Sequence, residues 1–220
     1  MTAIPVLVAV LVLAAILRVV KTRPRKLLAV VAVAIWLIGP YAIAASGALR
    51  NFDARPPPFG VMLILMLVAG IGVALSPVGK RLAEETPLAW IIGLQAFRLP
   101  LELVMHQAAV DGVMPNVMSF SGSNFDIVTG VTALIVAPLA ARGSRRLLWA
   151  WNVMGALLLA NIMIIAVRAT PIIAAFGPDA LNTWVAYPPY VWLPAVLVVT
   201  ALISHIVIFR SLSSSRPRTP

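Results

Sequence analysis

Residues 95–126 read QAFRLPLELVMHQAAVDGVMPNVMSFSGSNFD. In this stretch Arg98, Glu102 and His106 recur at four-residue steps along an otherwise apolar run, with Gln95 just ahead of them. At about 100° per residue these four side chains fall within roughly 80° of one another, so the spacing predicts a helix with a single polar stripe. A polar loop follows, and Asn124 and Asp126 then stand at the mouth of the next apolar segment. A surface helix of a soluble protein is polar over half its circumference; this one is apolar outside the stripe except for Gln107 near its end. That pattern belongs to a membrane span whose few ionisable groups face inward, towards other helices.

The rest of the chain agrees. Of its 220 residues 61% are hydrophobic and 11% charged, against norms of roughly 45–50% and about 25% for soluble domains. Mean hydropathy is +1.00. The apolar residues fall into runs of about 20, the length that crosses a ~30 Å hydrocarbon layer as helix. Seven such segments are expected, at 3–20, 27–46, 59–77, 88–110, 125–141, 147–168 and 190–209. The fold class is therefore all-α, a single seven-helix transmembrane bundle over 1–210 with a disordered tail at 211–220. The first segment lacks a basic leader and is too long for a signal-peptide core, so it reads as a retained helix. Pro40 and Pro100 predict kinks, because proline removes a helical donor. Gly70 and Gly72 predict close approach of a neighbouring helix, and GKRLAEETP (79–87) reads as a loop. No internal repeat is visible.

Positive charge sets the orientation. Arg18 to Lys26, Lys80, Arg81, Arg142, Arg145, Arg146 and Arg210 to Arg218 fall on one side of a seven-span chain; only Arg50, Arg55 and Arg168 fall on the other. The positive-inside rule then predicts an outside N-terminus and a cytoplasmic C-terminus, in a multi-pass bacterial inner membrane protein. On this topology the links 111–124 and 169–189 lie outside, and any cavity opens outward beneath them.

Several chemistries are excluded. There is no cysteine, hence no thiol chemistry and no disulfide. The net charge of +10 sits in short clusters at helix ends, where membrane orientation explains it, so no nucleic-acid partner is expected. The three lysines all lie in loops and offer no Schiff base for retinal. His106 and His205 are the only histidines; on the expected spans they lie about 20 Å apart in depth, too far to share a haem or metal ion. No metal or other cofactor is expected. The serines at 119, 121 and 123 lack a G-x-S-x-G elbow.

What remains is a polar set in the outer half of the bundle: Gln95, Arg98, Glu102, His106, Asn124 and Asp126, joined from the sixth segment by Asn161. Arg98 and Glu102 can pair at i, i+4, and Arg98 can bridge Glu102 and Asp126. The expected function is binding, sensing or transport of a small ligand or ion in an outward-facing polar pocket, with the lipid bilayer as surroundings. Two alternatives stand beside it. One is a non-catalytic accessory protein in which the arginine–carboxylate set is only a structural clamp; the other is a membrane-embedded lipid-modifying enzyme using a carboxyl as acid and base. No motif favours catalysis.

The motifs RPPPF (55–59), FRLPLELVMH (97–106), NFDIVTG (124–130), AWN (150–152) and YPPYVWLP (187–194) resemble an uncharacterised family of bacterial seven-helix membrane proteins. The resemblance runs from roughly residue 50 to 210. It implies that Arg98, Glu102, Asn124 and Asp126 belong to the family pattern and that His106 does not. It implies architecture and no activity.

Overall fold

The computed structural model describes residues 1–142 and 144–214, and among these the regular structure is entirely helical. Each expected segment is a helix. These are α1 (Ala3–Val19), α2 (Arg23–Ala45), α3 (Pro58–Leu75), α5 (Leu88–Leu94) continuing into α6 (Arg98–Val110), α7 (Ile127–Leu139), α8 (Arg145–Arg168), and α9 (Val199–Ser213), which extends a π-helical turn at Leu193–Val198. Five of the helical runs are long and apolar enough to cross a membrane, and α1 and α7 are shorter apolar helices. The outer surface suits hydrocarbon and not water: Leu28, Ile35, Ile64 and Leu157 are 67%, 65%, 63% and 65% exposed.

The last span is the hub. It is the most buried of the long runs, and α3, a short helix α4 (Pro77–Glu85), α5 and α8 all pack on α9. Along it, as along α5–α6 and α8, side chains change character twice. Ile91, Ile92, Leu148, Trp151, Val207 and Ile208 belong to one apolar cluster. Leu101, Met105, Leu159, Ile162, Leu197 and Ala201 belong to a second. Between them lies a layer of buried polar residues: Gln95, Arg98, Glu102, Asp126, Thr129, Asn152, Ser204 and His205.

Four local features depart from the sequence reading. The stretch 79–87 is not a loop: Pro77–Glu85 forms a short helix, α4. Ser76 caps it, its hydroxyl accepting the Val78 and Gly79 amides at 3.1 and 3.3 Å, and Pro77 occupies the first turn, where its missing N–H costs nothing. Gly79, Leu82 and Ala83 face the core. The break before Pro100 is a 3-10 turn at Gln95–Phe97 and not a kink at Pro100 itself; Pro100 cannot donate to the Ala96 carbonyl one turn earlier, and the strain is taken up there. Gly70 does admit a neighbour, since a Cβ there would sit 2.6 Å from Val199 Cγ1, but Gly72 faces open space. Finally, Ser211–Ser213 continue α9 where a disordered tail is expected; residues 215–220 of that tail lie outside the described residues.

The peripheral α2 is tied to the hub by two indole donors. Trp36 donates to the Ala195 carbonyl in the π-helical turn at 2.7 Å, and Trp192 donates to the Leu37 carbonyl at 2.8 Å. Trp192 therefore works as a tether between the two helices.

Candidate functional site: a buried polar layer beside an apolar cavity

Arg98 opens α6 and is buried, so its donors must be answered inside the protein. Its Nη1 donates to Asp126 Oδ1 at 2.8 Å and to the Gly155 carbonyl at 3.4 Å. Its Nη2 lies 3.2 Å from His205 Nε2. The protonation of that imidazole can be read from its other side. Asn152 Nδ2 donates to the His205 carbonyl at 3.1 Å, which turns Asn152 Oδ1 towards His205 Nδ1 at 2.8 Å. The Nδ1 proton goes to Asn152, and the bare Nε2 accepts from Arg98. One guanidinium thus joins α6 to α7, α8 and α9.

Glu102, one turn along, is held differently. No ion pair links it to Arg98; the pair to Asp126 is the buried one among the described residues. Asn124 takes the Glu102 carboxylate instead, Nδ2 donating to Oε1 and Oε2 at 2.9 and 2.8 Å and to the Met118 carbonyl at 3.1 Å. Asn124 Oδ1 accepts the Asp126 amide at 3.0 Å, and Thr129 donates to Asp126 Oδ1 at 3.3 Å. Asp126 sits at the N-terminus of α7, where the helix dipole favours a carboxylate. The expected bridge of Glu102–Arg98–Asp126 is therefore replaced by two coupled pairs, because the short, planar Asn124 amide reaches both oxygens of Glu102 without straining the helix.

Close packing makes these contacts reachable. A Cβ at Gly155 would sit 2.7 Å from His205 Cε1 and 3.0 Å from Thr129 Cγ2, and one at Gly130 would sit 2.4 Å from the Leu99 nitrogen. Only glycine lets α7 and α8 approach the 95–98 turn and the imidazole this closely.

A cavity of about 200 Å³ adjoins the layer. Arg98, Glu102 and Asp126 are in its wall; the remainder is almost wholly apolar, from α3 (Phe59, Leu63), α8 (Leu159, Ile162, Met163) and the last span (Leu193, Leu197, Ala201). Both long links contribute, through Met118 and through Thr170, Asn182 and Val185. Ile64 and Val167 line the cavity and are also 63% and 44% exposed on the outer flank of the bundle, so the cavity reaches the lateral surface between α3 and α8. Two of its polar side chains keep unanswered atoms: Arg98 Nε and Asn182 Oδ1 are buried without a partner. Gln95 is buried with neither amide atom bonded.

Two expected members of the set stand apart. His106 faces the 116–121 loop, its Nδ1 3.0 Å from Ser119 Oγ and its ring against Phe120 at 4.5 Å. Asn161 is tied to the Ser123 carbonyl at 2.9 Å and does not reach the layer. Sequence reasoning missed His205, considered there only as a metal or haem ligand and set aside, and it missed Asn152. Their signal was present: each is a hydrogen-bonding side chain in an otherwise apolar span, as Arg98 is. Among the described residues no three His, Cys, Asp or Glu side chains converge as a metal site.

No curated protein and no solved structure matches the chain. A family model does: it covers residues 57–213, from the start of α3 to the end of α9, and by it the chain belongs to the family described as Domain of unknown function (DUF8737).

Proposed function

We propose that this is a seven-span protein of the bacterial cytoplasmic membrane, N-terminus outside, that binds, and thereby senses or transports, a small amphipathic ligand in the cavity between α3, α6, α8 and α9. On that topology the Met118 and Asn182 ends of the cavity are its outer end. The observation that carries the reading is the unanswered donor in its wall. A buried donor without a partner costs about 1–3 kcal/mol, and more on a charged group; Arg98, whose Nε is unanswered, is part of the wall of a cavity of about 200 Å³.

The wall sets the ligand's chemistry. Its body is apolar, to match the α3, α8 and α9 side chains. At one end it has an acceptor for Arg98 Nε, and at the other a donor for Asn182 Oδ1. The polar layer also holds one cation, Arg98, against two carboxyls, Asp126 and Glu102, so it is completed by one proton or one cationic ligand group. Native mass spectrometry of protein extracted gently from its own membranes tests this, with Glu102→Gln alongside. The expected result is a discrete adduct on the wild type that is absent from a folded mutant.

A second reading has an observation of its own: Arg98 joins α6 to three other helices. Under it the layer is a clamp in an accessory protein. No adduct on the wild type, with a Glu102→Gln protein that melts earlier, would support the clamp and sink the ligand site.

A further inference from the structure

On the face of the hub away from Arg98, a larger cavity of about 490 Å³ lies between α1, the α4–α5 corner and α9. Its floor is Leu11, Val12, Ala15, Leu94, Ile203 and Val207. Its rim, at the ends of α1 and α4, is Arg18, Glu85, Thr86 and Trp90. Most of it is built by the 57–213 region, and α1, outside that region, closes one side.

The rim is polarised. Glu85 is neutralised by Lys21 at 3.1 Å. Arg18 has no carboxylate within reach among the described residues; its guanidinium lies 4.4 Å above the Trp90 ring. Arg81, beside it, spends one donor on the Val19 carbonyl at 3.2 Å, likewise without an acidic partner. Lys80 and the 21–26 run add further positive charge at the same end. An arginine stacked on an exposed tryptophan, above an apolar cleft, sits where headgroup meets hydrocarbon. From Arg18 up α1 to Leu11 is seven residues, about 10 Å of depth, which is within one ~15 Å leaflet.

We propose that this cavity is a binding site for an anionic glycerophospholipid of the leaflet at the arginine-rich end. One acyl chain occupies the cleft, and the headgroup phosphate is held by Arg18. The charge balance selects the headgroup. With Glu85 already paired to Lys21, the rim offers Arg18 uncompensated. Glu84 is the one further carboxylate at this end, against Lys80, Arg81, Arg23, Arg25 and Lys26. The balance stays positive, so a phosphodiester without a compensating amine is preferred over a zwitterion. A free phosphate lacks the chain that fills the floor and is not retained.

The test is lipid titration of the detergent-purified full chain, read by native mass spectrometry, with phosphatidylglycerol, phosphatidylethanolamine and inorganic phosphate as separate probes. Wild type should retain phosphatidylglycerol over phosphatidylethanolamine by about five-fold, the scale of one arginine at an anionic headgroup. Arg18→Gln should bring the two lipids level. Ala14 lines the cavity and is exposed, so Ala14→Trp fills the cleft without disturbing the core; it should lower retention of both lipids. Equal retention of the two lipids by wild type overturns the proposal. So does a preference unchanged in Arg18→Gln, or retention unchanged in Ala14→Trp.

Discussion

Asn124 is the residue on which the polar layer turns. Its amide hands two hydrogen bonds to Glu102 and takes one from the Asp126 backbone, so the carboxylates of two helices are set by one side chain in a loop. The sequence shows that Asn124 is near Asp126; it does not show that Asn124 rather than Arg98 would own Glu102. Helical spacing places side chains on a face, but the partner is chosen by reach, and reach depends on the loop path. Gln95 makes the complementary point. It is on the predicted stripe and is buried, yet neither amide atom finds a partner. An unpaired buried amide is destabilising, and replacing it with an apolar group of similar shape removes that penalty. Gln95→Met should therefore raise the melting temperature by a few degrees, about 1 kcal/mol, in ligand-free detergent. A fall instead would mean that Gln95 has an answering group that the bare chain lacks.

At the scale of elements, the boundaries were largely legible and the corners were not. Continuous apolar runs fix where a span can be, because hydrocarbon thickness dictates length. Nothing comparable fixes how spans approach, which is why Gly70 and Gly72 read alike and differ in space. Short amphipathic α4 was passed over because a basic, polar stretch between two spans looks like a loop, although Ser76-Pro77 is a helix-start signal. The depth expected for His205 shifts for a related reason: the last helix runs from Leu193 to Ser213 and not from 190 to 209, which sets His205 eight residues from its end instead of four. Glycine contacts give a sharp test. In Gly130→Val the new Cβ meets the Leu99 and Arg98 backbone, which cannot move aside like a side-chain tip. It should force α7 away from the 95–98 turn and abolish extraction as a monodisperse protein. Gly72→Val, which faces open space, should extract and melt like wild type. Equal behaviour of the two would show that α7 does not seat on that turn.

On the scale of the whole molecule, the polar layer between two apolar clusters divides the bundle into an end with long, partly apolar links and an end with short, basic ones. The cavity beside Arg98 belongs to the first end and the cleft under Arg18 to the second, on different faces of the same central span. Which end faces the cytoplasm is therefore what assigns a side of the membrane to each. Seven spans with the basic end inside require Asp111 and Asp179 to be outside, and Lys80 and Arg145 to be in the cytoplasm. Because the chain has no cysteine, each position can be probed alone without removing a native thiol. Single substitutions Asp111→Cys and Asp179→Cys should react with a membrane-impermeant maleimide on intact cells. Lys80→Cys and Arg145→Cys should react only after the membrane is opened. The inverse pattern would turn the protein over and move the Arg98 cavity to the cytoplasmic side. Labelling of Asp111→Cys without Asp179→Cys would mean that the number of crossings between them is odd, so that α7 and α8 do not both span, and the seven-span topology would fall.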